Sequence, residues 1–374
     1  MQTWDVIVVG AGPAGCAAAY DLATSGRSVL LLDCCDFPRR KACGGGVTMK
    51  AVRVLRYSIA PVVVATVYRT QVSKNFERSA NLISSKPVCL MTVREEFDAF
   101  CLNQTIGAGA EFRKIAQIHG LRELPDVVVI STAVGDLQAR FLVGADGANS
   151  QVRGLIGEAR WFRAGFALEA QVASSQHVSD MHLDFGVVSD GYGWVFPKNE
   201  HLNVGLYSQA HQHKITRSTL AEYIQKKLGS YEAHCIIGQY LGMGGMCNQP
   251  NYRRVLLVGD AAGLVDPLTG EGIYHAIVSG QTAALAINSE LKGGGAALEI
   301  FQRELREVAF DLEVSLRAAK RFYGDLDWGY DCLCSPLVRT VALQTYFKGL
   351  SFGRALKRYS FVLPYFSSGL ESHS

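Results

Sequence analysis

Residues 4–33 read WDVIVVGAGPAGCAAAYDLATSGRSVLLLD. Val6–Val9 predicts a short buried strand, Ala14–Ser25 has helical composition, and Ser28–Leu32 predicts a second strand rich in leucine. Gly10, Gly12 and Gly15 fill the turn between the first strand and the helix, with Ala14 in the same phosphate-facing set. Glycine at these places permits a tight bend, the close approach of a pyrophosphate and helix–strand packing, while the helix N-terminus faces the phosphates. Asp33 closes the second strand, where a carboxylate accepts hydrogen bonds from a ribose diol and repels an added phosphate. FAD or NAD therefore fits better than NADP. A glycine triplet alone is a weak signal; here strand, helix, second strand and terminal acid fall in register.

The remainder of the composition narrows the class. A chain of 374 residues can hold two or three domains and a sizeable core. The formal net charge of +3 is too small to support a nucleic-acid partner. Ten cysteines lack zinc-ligand spacing, and the pairs Cys34/Cys35 and Cys332/Cys334 are too close in sequence for easy bridges. No signal-peptide pattern precedes the first strand, so a reducing cytoplasm is the expected compartment. No apolar run reaches transmembrane length, so any membrane contact is expected to be peripheral. No metal site is expected, and the oligomeric state is not legible.

Two later segments say which dinucleotide. FLVGADGANSQVR (141–153) is a strand ending in Asp146-Gly147, and RVLLVGDAAGLVDPLTGEGIYHAIVSGQT (254–282) is a strand ending in Gly259-Asp260 before a Gly/Pro turn and a helix. With the N-terminal turn they resemble the three fingerprints of the glutathione-reductase-type FAD fold used by the single-component flavin hydroxylases and their relatives. The resemblance implies that Asp260 hydrogen-bonds the ribityl chain and that Pro267–Ile273 passes the isoalloxazine, with Gly270, Gly272 and Ile273 at its pyrimidine end. A helix N-terminus there stabilises the negative charge that two-electron reduction leaves on the ring. Asp146 and Arg153 fit the family's Asp-Gly segment, although a surface ion pair is a fair alternative for Arg153. In VREEFDAFCL (93–102), the resemblance gives Arg94 a role at the FAD phosphate or ribose. A strand around Ile115–Ile118 is expected to lend backbone contacts to adenine, with Ile118 as the contact.

The implied fold class is α/β: a Rossmann-like FAD-binding domain of the glutathione-reductase type with an inserted antiparallel β-sheet substrate domain and a helical C-terminal region. Residues 1–70, 94–158 and 251–300 form the discontinuous FAD domain. Residues 71–93 and 159–250 form the β-rich substrate domain, in which FALEAQVA and LNVGLYS read as half-exposed antiparallel strands. Residues 301–374 form the helical region. From Pro336 to Gly369 there is no acidic residue, while arginines and lysines alternate with tyrosines and phenylalanines. That run reads equally as a helical cap with a solvated basic edge or as a docking face for anionic lipid headgroups or a diphosphate.

Two motifs bear on the reaction. RRKACGGGVT (39–48) places Cys43 at the edge of Gly44, Gly45 and Gly46, and three glycines let backbone lie against a large planar ring. GYGWVFPK (191–198) alternates Tyr192, Trp194 and Phe196, so all three project to one face of a strand, either as core or as an aromatic wall for an extended apolar substrate. Together KACGGG and YGWVFPK resemble the geranylgeranyl reductase family, flavoenzymes that saturate isolated double bonds in polyprenyl chains, over roughly the first 280 residues. An isolated alkene is not electrophilic, so its reduction needs a proton delivered as hydride arrives, in a water-poor site. Tyr192 and Trp194 are expected to line that site, since aromatic faces favour a cationic neighbour. Cys43 is expected to meet the substrate by position more than by acidity, because a thiol of pKa about 8.5 is a weak acid for this task; a space-filling buried cysteine is the competing reading. The partner is thus a polyprenyl small molecule or lipid. No second glycine fingerprint follows a strand, and GMGGMC (242–247) lacks the frame, so the electron donor is NADH, NADPH or a ferredoxin. A flavin-dependent monooxygenase or halogenase on an aromatic or lipid substrate, and a flavin-binding protein without turnover, are the competing functions.

Overall fold

Thr3–Val9 runs into the helix Pro13–Thr24 and returns as Val29–Asp33, parallel to the first strand with Val6 opposite Val29. The computed structural model describes residues 2–157, 162–173, 178–210, 215–229, 232–244, 252–336 and 338. The sheet begun by these strands runs, in spatial order, Glu111–Lys114, Val29–Asp33, Thr3–Val9, Gly135–Gly144, Val128–Thr132 and Ile118–Glu123, and Val255–Leu257 also pairs with Gly135–Gly144. The first four and Val255–Leu257 are mutually parallel, whereas the last two form an antiparallel extension. Parallel strands need cover on both faces, which is why they read as near-continuous apolar runs. Val6 and Val8 pack with the helices Pro13–Thr24 and Ile273–Leu291, while Ile7 and Val9 face the other way, towards Ile118, Val128 and Val152. The two helices approach closely because Gly280 lies against the backbone of Ala14 and Ala18.

A second, mostly antiparallel sheet is ordered Ala233–Met243, Arg163–Ala173, His201–Ser208, Gly191–Pro197, Met181–Phe185, Arg69–Lys74 and Arg78–Ile83. Strands from both inserted segments meet in it. A three-stranded sheet of Gly46–Thr48, Cys89–Thr92 and Val63–Val67 lies beside the glycine triplet. The helices Ala297–Glu304, Arg306–Gly324 and Leu326–Cys334 follow the break at Gly293–Gly295. No helix among the described residues is long and apolar enough to cross a membrane.

Two local expectations are corrected. His201–Ser208 is buried over nearly its whole length rather than half-exposed, because the helix Arg217–Leu228 covers one face through Leu220, Tyr223 and Ile224, and Tyr207 packs with Trp194 and Val265 on the other. Ile115 and Ile118 do not share a strand. Glu111–Lys114 ends when Ile115 donates to the carbonyl of Asp33 (2.8 Å), and Ile118 opens the antiparallel extension. The basic and aromatic run beyond Val338 lies outside the described residues.

Candidate flavin and substrate site

The N-terminal glycine turn is shaped by backbone. Gly10, at φ +103°, has the Ala145 carbonyl where a side chain would stand, and Gly15 has the Gly10 carbonyl there. Gly12 caps the helix Pro13–Thr24 without any side-chain hydrogen bond, so the N–H groups of the first turn, Ala14 among them, stay available to an anion. Asp33 is buried and its carboxylate accepts from Ala11 N (2.8 Å) and Cys35 N (3.0 Å). It thereby braces the turn. Beside the turn, Arg94 makes a two-point ion pair with Asp98 (3.0 and 2.9 Å), and Arg39 reaches the same carboxylate at 3.4 Å. Burial and then Arg94 push Lys41 below the usual lysine range, against the pull of Asp260 and Asp98. Three cations crowd two carboxylates here, and a diphosphate relieves that crowding. The residues present fit FAD.

Asp146 and Arg153 turn out to be internal braces. The Asp146 carboxylate accepts from Ser150 Oγ (2.5 Å), Gln151 N (2.7 Å) and Val152 N (3.1 Å), so it holds the start of the helix Gln151–Leu155. Arg153 is buried, not a surface ion pair: it donates to the carbonyls of Ala148 (2.5 Å) and Ala261 (3.0 Å) and its guanidinium lies 3.6 Å from the Phe162 ring centre. It therefore ties the Asp-Gly turn to the Gly-Asp turn. The Ile118 N–H is taken by Gln151 Oε1 (3.1 Å).

Gly259 (φ +58°) and Asp260 open a short 3₁₀ turn, and Asp260 lies against Gly272, the residue that caps the helix Ile273–Leu291 without a side-chain bond. The glycine-rich end of Ala233–Met243 packs here too, with Val265 N donating to the Gly242 carbonyl (2.9 Å). The loop from Asp266 to Gly272 is clamped by three phenols. Tyr207 donates to the Pro267 carbonyl (3.1 Å), Tyr323 to Leu268 (2.7 Å) and Tyr192 to Thr269 (2.5 Å). Asp266 Oδ1 accepts from Leu268 N, Thr269 N and Ser315 Oγ, at 2.8, 3.0 and 2.6 Å. Gly270 (φ +69°) rests on the Tyr207 ring.

The glycine triplet meets the aromatic stripe directly. A side chain on Gly44 would come within 2.6 Å of the Phe196 ring, and one on Gly46 within 3.0 Å of Cys89 Sγ. Gly45 adopts φ +63° with the Thr92 carbonyl against it. Lys198 fastens the loop from below, donating to the carbonyls of Gly44 (2.7 Å) and Thr92 (2.9 Å). Tyr192, Trp194 and Phe196 form a chain of ring contacts with centroids 6.3 and 6.1 Å apart. Trp194 is the buried ring of the three, 5% exposed with its indole N–H donating to Asn203 Oδ1 (2.7 Å), while Tyr192 and Phe196 are half-buried on either side. Half-buried Cys43 has its thiol next to Arg94, and its Sγ accepts weakly from Gly45 N (3.5 Å). Beside it opens a cavity of about 50 Å³, lined by Cys43, Arg94, Glu169, Lys198 and Asn203 among others.

Residues 3–313 match the family model described as FAD binding domain. The chain is 30% identical over 304 residues to the geranylgeranyl diphosphate reductase of Rhodobacter capsulatus, covering 78% of this chain and 76% of that one. The chain belongs to the geranylgeranyl reductase family of FAD-dependent oxidoreductases. An uncharacterized protein of Methanosarcina barkeri is 33% identical over 374 residues, 97% of this chain and 95% of its own. The solved structure of a geranylgeranyl bacteriochlorophyll reductase-like protein from Thermoplasma acidophilum superposes with a TM-score of 0.79 at 21% identity, covering 97% of this chain and all of that one.

Several residues of this reductase-family site carry no motif of their own. Lys41 and Lys198 stand inside the two motifs, and their charge at a glycine loop was the available signal. Tyr207, Asp266 and Tyr323 had none, because a phenol aimed at a loop carbonyl is defined only once the loop, the sheet and the helix Arg306–Gly324 meet.

Proposed function

We propose that this chain uses FAD to saturate isolated C=C bonds of a polyprenyl, geranylgeranyl-type chain. The observation that carries the reading is the contact between its two distinguishing motifs: the Cys43–Gly46 loop is seated on Phe196 and Trp194, on the same face as Tyr192. Bound FAD supplies the hydride. The chain's own part is to exclude water and position the alkene. The ring stripe gives a dry surface that tolerates positive charge on an alkene carbon. The phenol clamp on Pro267, Leu268 and Thr269 fixes the loop facing that surface, so the reacting atoms meet in one geometry. Cys43 meets the substrate at the loop's edge, and Lys198 holds the loop down.

The relative from Rhodobacter capsulatus is named for geranylgeranyl diphosphate, and a prenyl chain on a diphosphate, a lipid or a quinone offers the same alkene chemistry. NADH, NADPH and ferredoxin are the donors to compare. The deciding experiment adds a geranylgeranyl substrate to reduced enzyme under strict anoxia and measures flavin reoxidation together with product mass. Saturation by two hydrogens per bond supports the reading. Reoxidation that requires oxygen and yields a hydroxylated or halogenated product replaces it with monooxygenase or halogenase chemistry, and no reoxidation by any prenyl substrate leaves a flavin carrier.

A further inference from the structure

We propose that Glu169 holds the proton that alkene reduction consumes and delivers it from the cavity behind the Cys43 loop. The inference rests on the reductase reading and deepens it.

The sheet register puts Glu169 where a donor is needed. Glu169 pairs with Gly205, and Gly205 pairs with Trp194, so the carboxyl and the indole lie in one row on one face. A side chain at Gly205 would overlap the Trp194 ring, so the absent side chain is what lets the indole fill the middle of that row. Glu169 is thus the acid set into the aromatic face. It is 7% exposed and lines the cavity that Cys43 also lines.

Its hydrogen bonding is incomplete. Buried acids elsewhere are paired: Asp184 accepts from Tyr223 (2.6 Å), Lys227 (2.8 Å) and Ser73, and Asp98 accepts from Arg94 at 3.0 and 2.9 Å. Among the described residues, Glu169 Oε2 is the buried carboxylate oxygen without a partner. An ionised carboxylate with a bare buried oxygen is costly, whereas a carboxylic acid can place its proton there. Burial lifts the Glu169 pKa to about 7, against the opposing pull of the Cys43 amide, Asn203, Lys198 and Arg94. The remaining charged groups around the cavity are Arg40, Lys41 and Glu95, and the remaining titratable ones are His201 and Cys235 on the sheet side. Lys198 is itself lowered to about 8 by burial, so its pull on the acid weakens as pH rises. A carboxylic acid is also a stronger donor than a thiol.

The step balances. The alkene π bond breaks; one carbon gains a hydride from reduced flavin, and the other gains the Oε2 proton. Glu169 is left as a carboxylate and regains a proton from water through the cavity.

The variant Glu169→Gln keeps an acceptor for the Cys43 amide and removes the proton. In flavin-loaded protein it is expected to bind FAD and accept electrons at the wild-type rate while kcat for prenyl reduction falls at least 100-fold with little change in KM. Infrared difference spectra of wild-type protein between pH 5 and pH 9, with and without flavin, are expected to show a buried carboxylic acid band lost near neutrality and missing in Glu169→Gln. A wild-type kcat in the variant, or no such band, overturns the inference. Wild-type protein that shows the band yet reduces no prenyl chain overturns alkene reduction itself, and delivery to an alkene with it.

Discussion

Two glycine-rich turns border this site, and they need glycine for different reasons. At Gly10–Gly15 the obstacles are main-chain carbonyls, those of Ala145 and Gly10, at places set by the βαβ geometry. At Gly44–Gly46 they come from two other strands: the Phe196 ring from one, the Thr92 carbonyl and the Cys89 thiol from the other. Backbone cannot move aside, whereas a ring end can. The first turn therefore cannot accept a side chain without moving backbone, while the second is adjustable at Gly44 and rigid at Gly45.

The largest effect is expected from Gly15→Ala, which drives a methyl into the Gly10 carbonyl. It should cost about 3 kcal/mol or more and leave the protein colourless, read by denaturant unfolding and flavin absorbance; a stable yellow variant would break the contrast. Asp260→Ala and Trp194→Ala should then separate cofactor from chemistry. The former loses flavin. The latter stays yellow but loses prenyl reduction, with about 3–5 kcal/mol of stability lost to the cavity left by the indole. Full activity in Trp194→Ala would remove the aromatic face from the mechanism.

A milder change sharpens the difference inside the second turn. Gly44→Ala should keep flavin and lower kcat/KM by about tenfold, since one misplaced contact there costs on the order of 1.4 kcal/mol. Phe196→Leu in the same chain should restore most of the loss, whereas it should not rescue Gly45→Ala, whose obstacle is the Thr92 carbonyl. Equal rescue of both would mean that the two glycines are not limited as described.

The most gradual effect is on stability against pH. The folded Glu169 pKa of about 7 exceeds the ordinary carboxylate value, so the folded state binds this proton more tightly than the unfolded chain. Its unfavourable contribution is absent below the unfolded pKa, grows as pH rises, and is complete above pH 7. Wild-type stability should thus decline relative to Glu169→Gln between pH 5 and pH 7.5, at up to roughly 1.4 kcal/mol per pH unit. Parallel melting curves over that range would show that the carboxyl titrates elsewhere.

Much of the flavin half was legible because it is local. Gly10, Gly15 and Asp33 act within one strand–turn–helix–strand unit whose spacing is written in consecutive residues. Asp146 and Arg153 were legible as positions, but their internal partners, a helix start and two carbonyls, were not, because residue type does not say which of several groups a side chain meets. The buried state of His201–Ser208 was hidden for a related reason, since alternation along a strand does not reveal that both faces will be covered.

By itself the sequence determined the dinucleotide turn, the parallel sheet and the two motifs that mark the reductase family, because each depends on short spacings and backbone sterics. Only the tertiary structure decided that the glycine triplet sits on Phe196, that three phenols clamp the loop Pro267–Thr269, and that Glu169 is buried with an oxygen unpaired. Those facts depend on which strands lie side by side, and burial and hydrogen-bond satisfaction are properties of that assembly rather than of any residue in it.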